Sequence, residues 1–297
     1  MAITKKPYRK WKNAYEITSG AVKMHVVAGI GPRVLSLRLG QGPNLLFDDV
    51  DEKAGFEDWK IYGGHRFWVG PESQMTYAPD NGPCQARVAN KSLVLECAVD
   101  PHTALQKTLI ITPAPKGFRL YHLLRNTGAF LAPPSAVWAL TCVRPTGVCA
   151  FPWRTGPSGW NLASVQYWAA WGGHATDLES PQWRPTRDLY EIHPTGEEGK
   201  AGSRVEPATE DSSLGWIGQW TSDATFIKAF HVQSESGYPD NNCNVEIYTC
   251  SKFIELETLS PMATLAPGES LVQYERWFVV KPIERSTAAV AGLIGQD

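Results

Sequence analysis

Two short segments hold the side chains best suited to chemistry. The first runs Tyr62-Gly63-Gly64-His65-Arg66-Phe67-Trp68-Val69-Gly70-Pro71-Glu72. A glycine pair lets the backbone turn sharply. Behind it come an imidazole, a guanidinium, an indole and a carboxylate. His65 can exchange a proton near neutral pH, and Arg66 offers a fixed fork of donors to hydroxyl or carboxylate oxygens. The same residues also fit a structural turn in which Arg66 and Glu72 pair with each other. The second segment is Phe253-Ile254-Glu255-Leu256-Glu257-Thr258-Leu259-Ser260-Pro261. On a strand, Phe253, Glu255 and Glu257 share one face, and Ile254, Leu256 and Thr258 the other. The two carboxylates then lie roughly 6–7 Å apart. Lining a cleft, they repel each other and lose solvent, which raises one pKa and suits a general base. Facing water, they form only a hydrated strand face.

The remaining residues narrow the chemistry. His25, His102, His122, His174, His193 and His231 show no metal-ligand spacing, so no metal and no other cofactor is expected, and chelation should leave any activity intact. His174, in Trp171-Gly172-Gly173-His174, and His231 read as structural or surface groups. Nucleophile-elbow, phosphate-loop and dinucleotide motifs are missing. The six cysteines, Cys84, Cys97, Cys142, Cys149, Cys243 and Cys250, form no CxxC or Cys/His pattern. They read as reduced, packed thiols in a chain long enough to build its own core.

Twelve tryptophans stand among 26 glycines and 22 prolines. Most should be buried, but Trp68, Trp153, Trp160 and Trp171 lie beside Gly and Pro in turn-rich sequence. Their flat rings, apolar on the face and polar at the edge, suit the C–H faces of sugars.

Charge and hydropathy exclude other classes of partner. A formal charge of -2 carries no basic excess for nucleic acid or an anionic membrane. The start, MAITKKPYRKWKN, has positive charge but no apolar segment after it, so no secretory signal is expected. No run approaches the roughly 20 apolar residues of a membrane span. The expected location is cytoplasmic.

These side chains must be positioned by strands. Ala21–Val27 places Val22, Met24 and Val26 on one face, and Arg33–Leu39 also alternates, as half-buried antiparallel strands do. Gln85–Val99 and Gln106–Leu124 read as hairpins, turning near Asn90-Lys91 and at Pro113–Gly117. Later strands are expected at Ala136–Val143, Arg187–His193, Thr225–Gln233, Asn244–Cys250, Lys252–Leu259 and Ser270–Val280. The Ala-rich tail Glu284–Ile294 is the best helix candidate. Thr155–Asp211, rich in Gly, Pro, Ser and Glu, reads as long loops over one rim, where sites are usually built. With no repeat and no linker, residues 1–297 are expected to form one all-β domain, a sandwich or barrel.

The sequence also resembles the aldose 1-epimerase, or galactose mutarotase-like, superfamily. Leu256-Glu257-Thr258, then Leu265-Ala266-Pro267-Gly268-Glu269, then Trp277-Phe278, are similar to that family's catalytic strand and the segments after it. Ile30-Gly31-Pro32-Arg33-Val34-Leu35-Ser36-Leu37 with Asn44-Leu45-Leu46 looks like its opening strands. Gly63-Gly64-His65-Arg66 sits where its glycine and arginine substrate segment lies, in a form closest to an uncharacterised side branch. The resemblance implies a β-supersandwich of large antiparallel sheets, an open sugar-binding cleft, and Glu257 rather than Glu255 as the base. Typical members carry a catalytic histidine, the general acid, in mid-chain. The similar segment here, Arg125–Leu140, holds no histidine, and Trp138 stands roughly where that histidine would be.

The expected function is therefore that of a carbohydrate isomerase of the aldose 1-epimerase or hexose-epimerase kind. Glu257 is its base and His65 its acid. Arg66, Trp68, Glu72, Trp138, Trp153, Trp160, Trp171 and Glu255 contact the sugar. The alternatives are a non-catalytic carbohydrate-binding protein on the same scaffold, and a lyase or hydrolase acting on an acidic sugar held by Arg66. The expected partner is a carbohydrate alone, bound by a monomer or homodimer.

Overall fold

Period-two runs become antiparallel strands throughout the computed structural model, which describes residues 1–55, 59–77, 81–153, 164–209, 212–233 and 236–296. Two ten-stranded sheets carry the fold. The first runs Ala2–Lys5, Ala14–Ser19, Val22–Val27, Arg33–Leu39, Gly64–Gly70, Ala136–Val143, Ile254–Leu259, Val245–Thr249, Gly199–Ser203, Gln166–Tyr167. The second runs Trp183–Pro185, Leu189–Ile192, Val148–Pro152, Leu214–Trp220, Thr225–His231, Ser270–Val280, Gly117–Asn126, Leu105–Ala114, Ser92–Val99, Gln85–Ala89. Inward residues of both sheets, such as Val22, Met24 and Val26 from the first and Leu109, Phe118 and Trp277 from the second, meet in one apolar cluster. The fold is thus the all-β stack of large antiparallel sheets that the alternation predicts.

Local chemistry sets the turns. Asn90 and Lys91 both take positive φ, 48° and 63°, the two-residue hairpin turn that matches strand twist. In the tail, Ser286 accepts a hydrogen bond from the Ala289 N–H and starts the helix Thr287–Ile294. This helix buries Val290, Leu293 and Ile294 against Trp216 and Trp220. No helix among the described residues is long and apolar enough to cross a membrane.

The stretch expected as loops departs from that reading at Gly199–Ser203, which is an inner strand of the first sheet. Its glycines are there for space. A Cβ on Gly199 would sit 2.6 Å from the Trp183 ring, and one on Gly202 would press at 3.1 Å on Cys243, Glu246 and Trp168. A strand that is glycine-rich because neighbours crowd it carries no β-propensity signal.

Between the sheets lies a polar network. His65 Nδ1 is 2.9 Å from Thr141 Oγ1, and His65 Nε2 is 2.9 Å from His122 Nε2. His122 Nδ1 lies 3.3 Å from the Gln273 carbonyl. A carbonyl only accepts, so His122 carries its proton on Nδ1 and accepts at Nε2. His65 then donates from Nε2 and accepts from Thr141. His65, His122 and Glu275 offer ligand atoms within 4.8 Å of one another. The two imidazoles are bonded to each other, and the Lys228 ammonium lies 3.3 Å from Glu275.

Burial pushes the pKa of His65 well below the usual histidine value and also lowers that of His122. The folded protein therefore refuses protons that the unfolded chain accepts. Stability should be fully present above about pH 6.5 and fall as pH drops below it, by up to about 1.4 kcal/mol per pH unit for each histidine. Urea midpoints between pH 7.5 and 5 measure this. The slope should shrink in His122→Gln, and an unchanged slope would count against the buried neutral pair.

Candidate functional site

Strand register assembles the site on the other face of the first sheet. Arg66 stands opposite Leu140, Leu140 opposite Glu257, Glu257 opposite Glu246, and Glu246 opposite Gly202. Two residues along, the row reads Gly64, Cys142, Glu255, Tyr248, Lys200; two residues the other way it reads Trp68, Trp138, Leu259. Residues two apart share a face, so these rows form one wall. Arg66, Leu140, Glu257, Glu255, Tyr248, Lys200, Trp68 and Trp138 of these rows line a cleft of ≈ 750 Å³ together with Trp59, Tyr77, Trp171 and His174.

The glycine pair makes the close approach possible. Gly64 has φ +64°, and a Cβ there would lie 2.0 Å from the Val34 carbonyl oxygen. His65 and Arg66 follow it inside the strand Gly64–Gly70, so strand parity sends them to opposite faces. This corrects the expectation that both face the sugar. Arg66 lines the cleft, whereas His65 is fully buried between the sheets, against His122 and Trp277.

Glu257 lies on the floor, 1% exposed. The Trp138 indole N–H donates to its Oε2 at 2.7 Å, and the Lys200 ammonium lies 3.4 Å from the same oxygen. Its Oε1 has no hydrogen-bond partner among the described residues. Burial raises the Glu257 pKa to about 7; Lys200 and Trp138 pull it down, and Glu255 and Glu72 push it up. Lys200 is also 2.7 Å from Glu246 Oε2 and lies over the rings of Trp138 and Trp168. Burial alone would lower its pKa, but Glu246 and Glu257 outweigh that and hold it above the usual lysine value.

Arg66 stacks over Trp68, 4.0 Å from the ring centre, and over Trp59 at 5.0 Å. Its Nη2 donates to Glu255 Oε1 at 2.9 Å, an oxygen that also accepts from Cys142 Sγ at 3.2 Å. Its Nε and Nη1 are buried and have no hydrogen-bond partner among the described residues. The pairing of Arg66 with Glu72 does not form. Glu72 instead accepts from the Tyr77 hydroxyl. The floor thus holds one carboxylate oxygen of Glu257 and two N–H groups of Arg66 that have no hydrogen-bond partner among the described residues, beneath walls that include Trp59, Trp68 and Tyr77.

The cleft brings together Arg66, Trp68, Glu72, Trp138, Trp171, Glu255 and Glu257. Trp68 and Trp138 are strand residues, 3% and 2% exposed, so they close the floor rather than offer an open ring face. Trp171 is half-buried in a two-stranded hairpin at the rim. Trp153 stands elsewhere, with its ring edge-on to Tyr190 and its N–H on the Thr186 carbonyl at 3.1 Å. It is no part of the cleft, a second correction. Trp160 lies outside the described residues. Lys200, Trp59, Tyr77 and Tyr248 line the cleft unforeseen. A lysine between Gly199 and Gly202, in a strand hidden by its composition, gave no signal.

No family model and no curated protein matches the sequence. Solved structures do. The Slr1438 protein of Synechocystis sp. PCC 6803 aligns with TM-score 0.60 at 13% identity, covering 95% of this chain and 99% of that one. A galactose mutarotase-like protein of Clostridium acetobutylicum aligns with TM-score 0.54 at 11% identity, covering 90% and 95%. The chain has the galactose mutarotase-like fold. A galactose mutarotase related enzyme of Lactobacillus acidophilus gives TM-score 0.54 at 10% identity, covering 91% of this chain and 99% of that one. At such identities the likeness is one of fold, and the chemistry of this mutarotase-like chain rests on its own residues.

Proposed function

We propose that the cleft binds a reducing sugar and that Glu257 and Lys200 exchange protons with it, interconverting anomers as an aldose 1-epimerase does. One observation carries the reading: Glu257 lines the cleft as a buried carboxylate, with one oxygen held by Trp138 and the other without a hydrogen-bond partner among the described residues, and burial lifts its pKa to about 7. A base near the working pH is most effective. The similarity of Leu256-Glu257-Thr258 to the superfamily's catalytic strand points the same way.

Ring opening moves two protons. Glu257 takes the proton of the anomeric hydroxyl as C1 becomes a carbonyl and its bond to the ring oxygen breaks. That oxygen needs a proton in return. His65 is excluded by its placement, and Lys200 is the ionisable cation beside Glu257. Once Glu257 is protonated, its negative charge no longer holds the proton on Lys200, so donation becomes easier as the base fills. Closure on the other face of the carbonyl returns both protons.

A second reading has an observation of its own. Trp138, which stands roughly where the resemblance would seek the superfamily's histidine, donates to one oxygen of Glu257, which suits a protein that holds sugar without converting it. Polarimetry of freshly dissolved aldoses decides between them. The expected result is faster decay to the equilibrium rotation for at least one aldose, and a slower decay in Lys200→Met. If every aldose decays at the buffer rate although one binds, the non-catalytic reading stands.

A further inference from the structure

The cleft extends well past the reach of Glu257. Resting on the carbohydrate reading above, we propose that its far rim is a second sugar subsite, so that the ligand is a glycan of at least two units with its reducing ring on Glu257. The rim group is Trp171, His174, Glu198 and Tyr248. Trp171 and His174 stand opposite each other in the hairpin of Ala170–Trp171 and His174–Ala175, turned by Gly172 and Gly173 with φ 52° and 91°. Their ring centres are 5.5 Å apart and tilted by 33°. Tyr248 meets Trp171 edge-on at 6.2 Å. Glu198 accepts from His174 Nδ1 at 2.8 Å and from the Tyr248 hydroxyl. An indole held by a ring on each side, beside a bonded carboxylate–imidazole pair, is a stiff platform with polar groups at its edge.

The sheet provides the ruler. Gly202 shares the row of Glu257 two strands away, and Glu198 is four residues before Gly202. Strands lie about 4.8 Å apart and residues rise about 3.3 Å, so the two carboxylates are rooted roughly 10 Å apart across the sheet and 13 Å along it. A base must be within about 3.2 Å of the hydroxyl it serves. A ring seated on Glu257 therefore leaves the Trp171–His174 hairpin to the neighbouring unit. The size agrees, because ≈ 750 Å³ lies in the upper part of the range of about 300–1,000 Å³ usual for small-molecule sites.

Titration of the full chain with galactose and galactobiose, and with glucose, lactose, cellobiose and maltose, followed by calorimetry, tests the subsite. At least one disaccharide should bind about tenfold more tightly than its own reducing monosaccharide, the equivalent of roughly 1.4 kcal/mol. In Trp171→Ala, and less severely in His174→Gln, that ratio should fall towards one. Thermal melts confirm that these rim variants fold. If each monosaccharide binds as well as its disaccharide, or if Trp171→Ala leaves the ratio unchanged, the subsite is overturned while the carbohydrate reading survives. If no sugar of either size binds, both fall.

Discussion

Glu257→Gln should cost at least about two orders of magnitude in turnover, the usual contribution of general acid–base catalysis, while sugar binding persists. The change preserves shape, and the amide oxygen can still accept from the Trp138 N–H. What it removes is the basicity of Oε1, which has no hydrogen-bond partner among the described residues. The pH profile gives an independent check. Activity that needs the ionised carboxylate should rise with pH through about 7, the value to which burial lifts Glu257. A solvated glutamate would titrate near about 4.3. Glu255 adds to the upward shift. Glu255→Gln should therefore move the midpoint of kcat/KM to lower pH and hurt turnover less. A Glu257→Gln protein that keeps a tenth of the wild-type rate would remove Glu257 from the chemistry.

Much of this arrangement was legible in the sequence. Alternation located most strands, because one buried face imposes a period of two. Parity placed Glu255 and Glu257 together, and both line the cleft. The same rule, applied to His65 and Arg66, separates them. Treating Gly63-Gly64-His65-Arg66 as a loop hid this, since the glycines suggested a turn. Their actual work is to let a strand pass against the Val34 and Phe47 carbonyls. Lys200 was illegible for a different reason. Its strand is defined by what crowds Gly199 and Gly202, and those neighbours, Trp183 and Cys243 among them, are remote in sequence. Trp153 shows the limit of composition. Prolines and glycines around an indole do not distinguish a platform facing ligand from one packed on Tyr190.

The largest effect on stability should come from beneath the site. Lys228, in the second sheet, is fully buried. Its ammonium donates to the carbonyls of Ala139 at 2.6 Å and Leu256 at 2.9 Å, both in the first sheet. Glu275 supplies the balancing charge at 3.3 Å and also accepts from the Trp277 N–H at 2.7 Å and from the Thr258 hydroxyl. This pair joins the sheets directly behind the cleft floor, one residue from Glu257. Burial lowers the Lys228 pKa, and Glu275 opposes that. Glu275→Ala should therefore destabilise the fold by about 3–5 kcal/mol, because it strands a buried cation and two donors. The double variant Lys228→Met with Glu275→Ala should recover a large part of the loss, since no unpaired charge remains. Denaturant unfolding of the wild type, both single variants and the double variant measures the coupling. Additive losses would show that the two charges do not depend on each other. A loss below about 1 kcal/mol for Glu275→Ala would show that Lys228 is not held as an ion in the core. Where the coupling holds, Glu275→Ala should also blunt sugar binding, because the Leu256 carbonyl that Lys228 grips is the neighbour that sets the direction of Glu257.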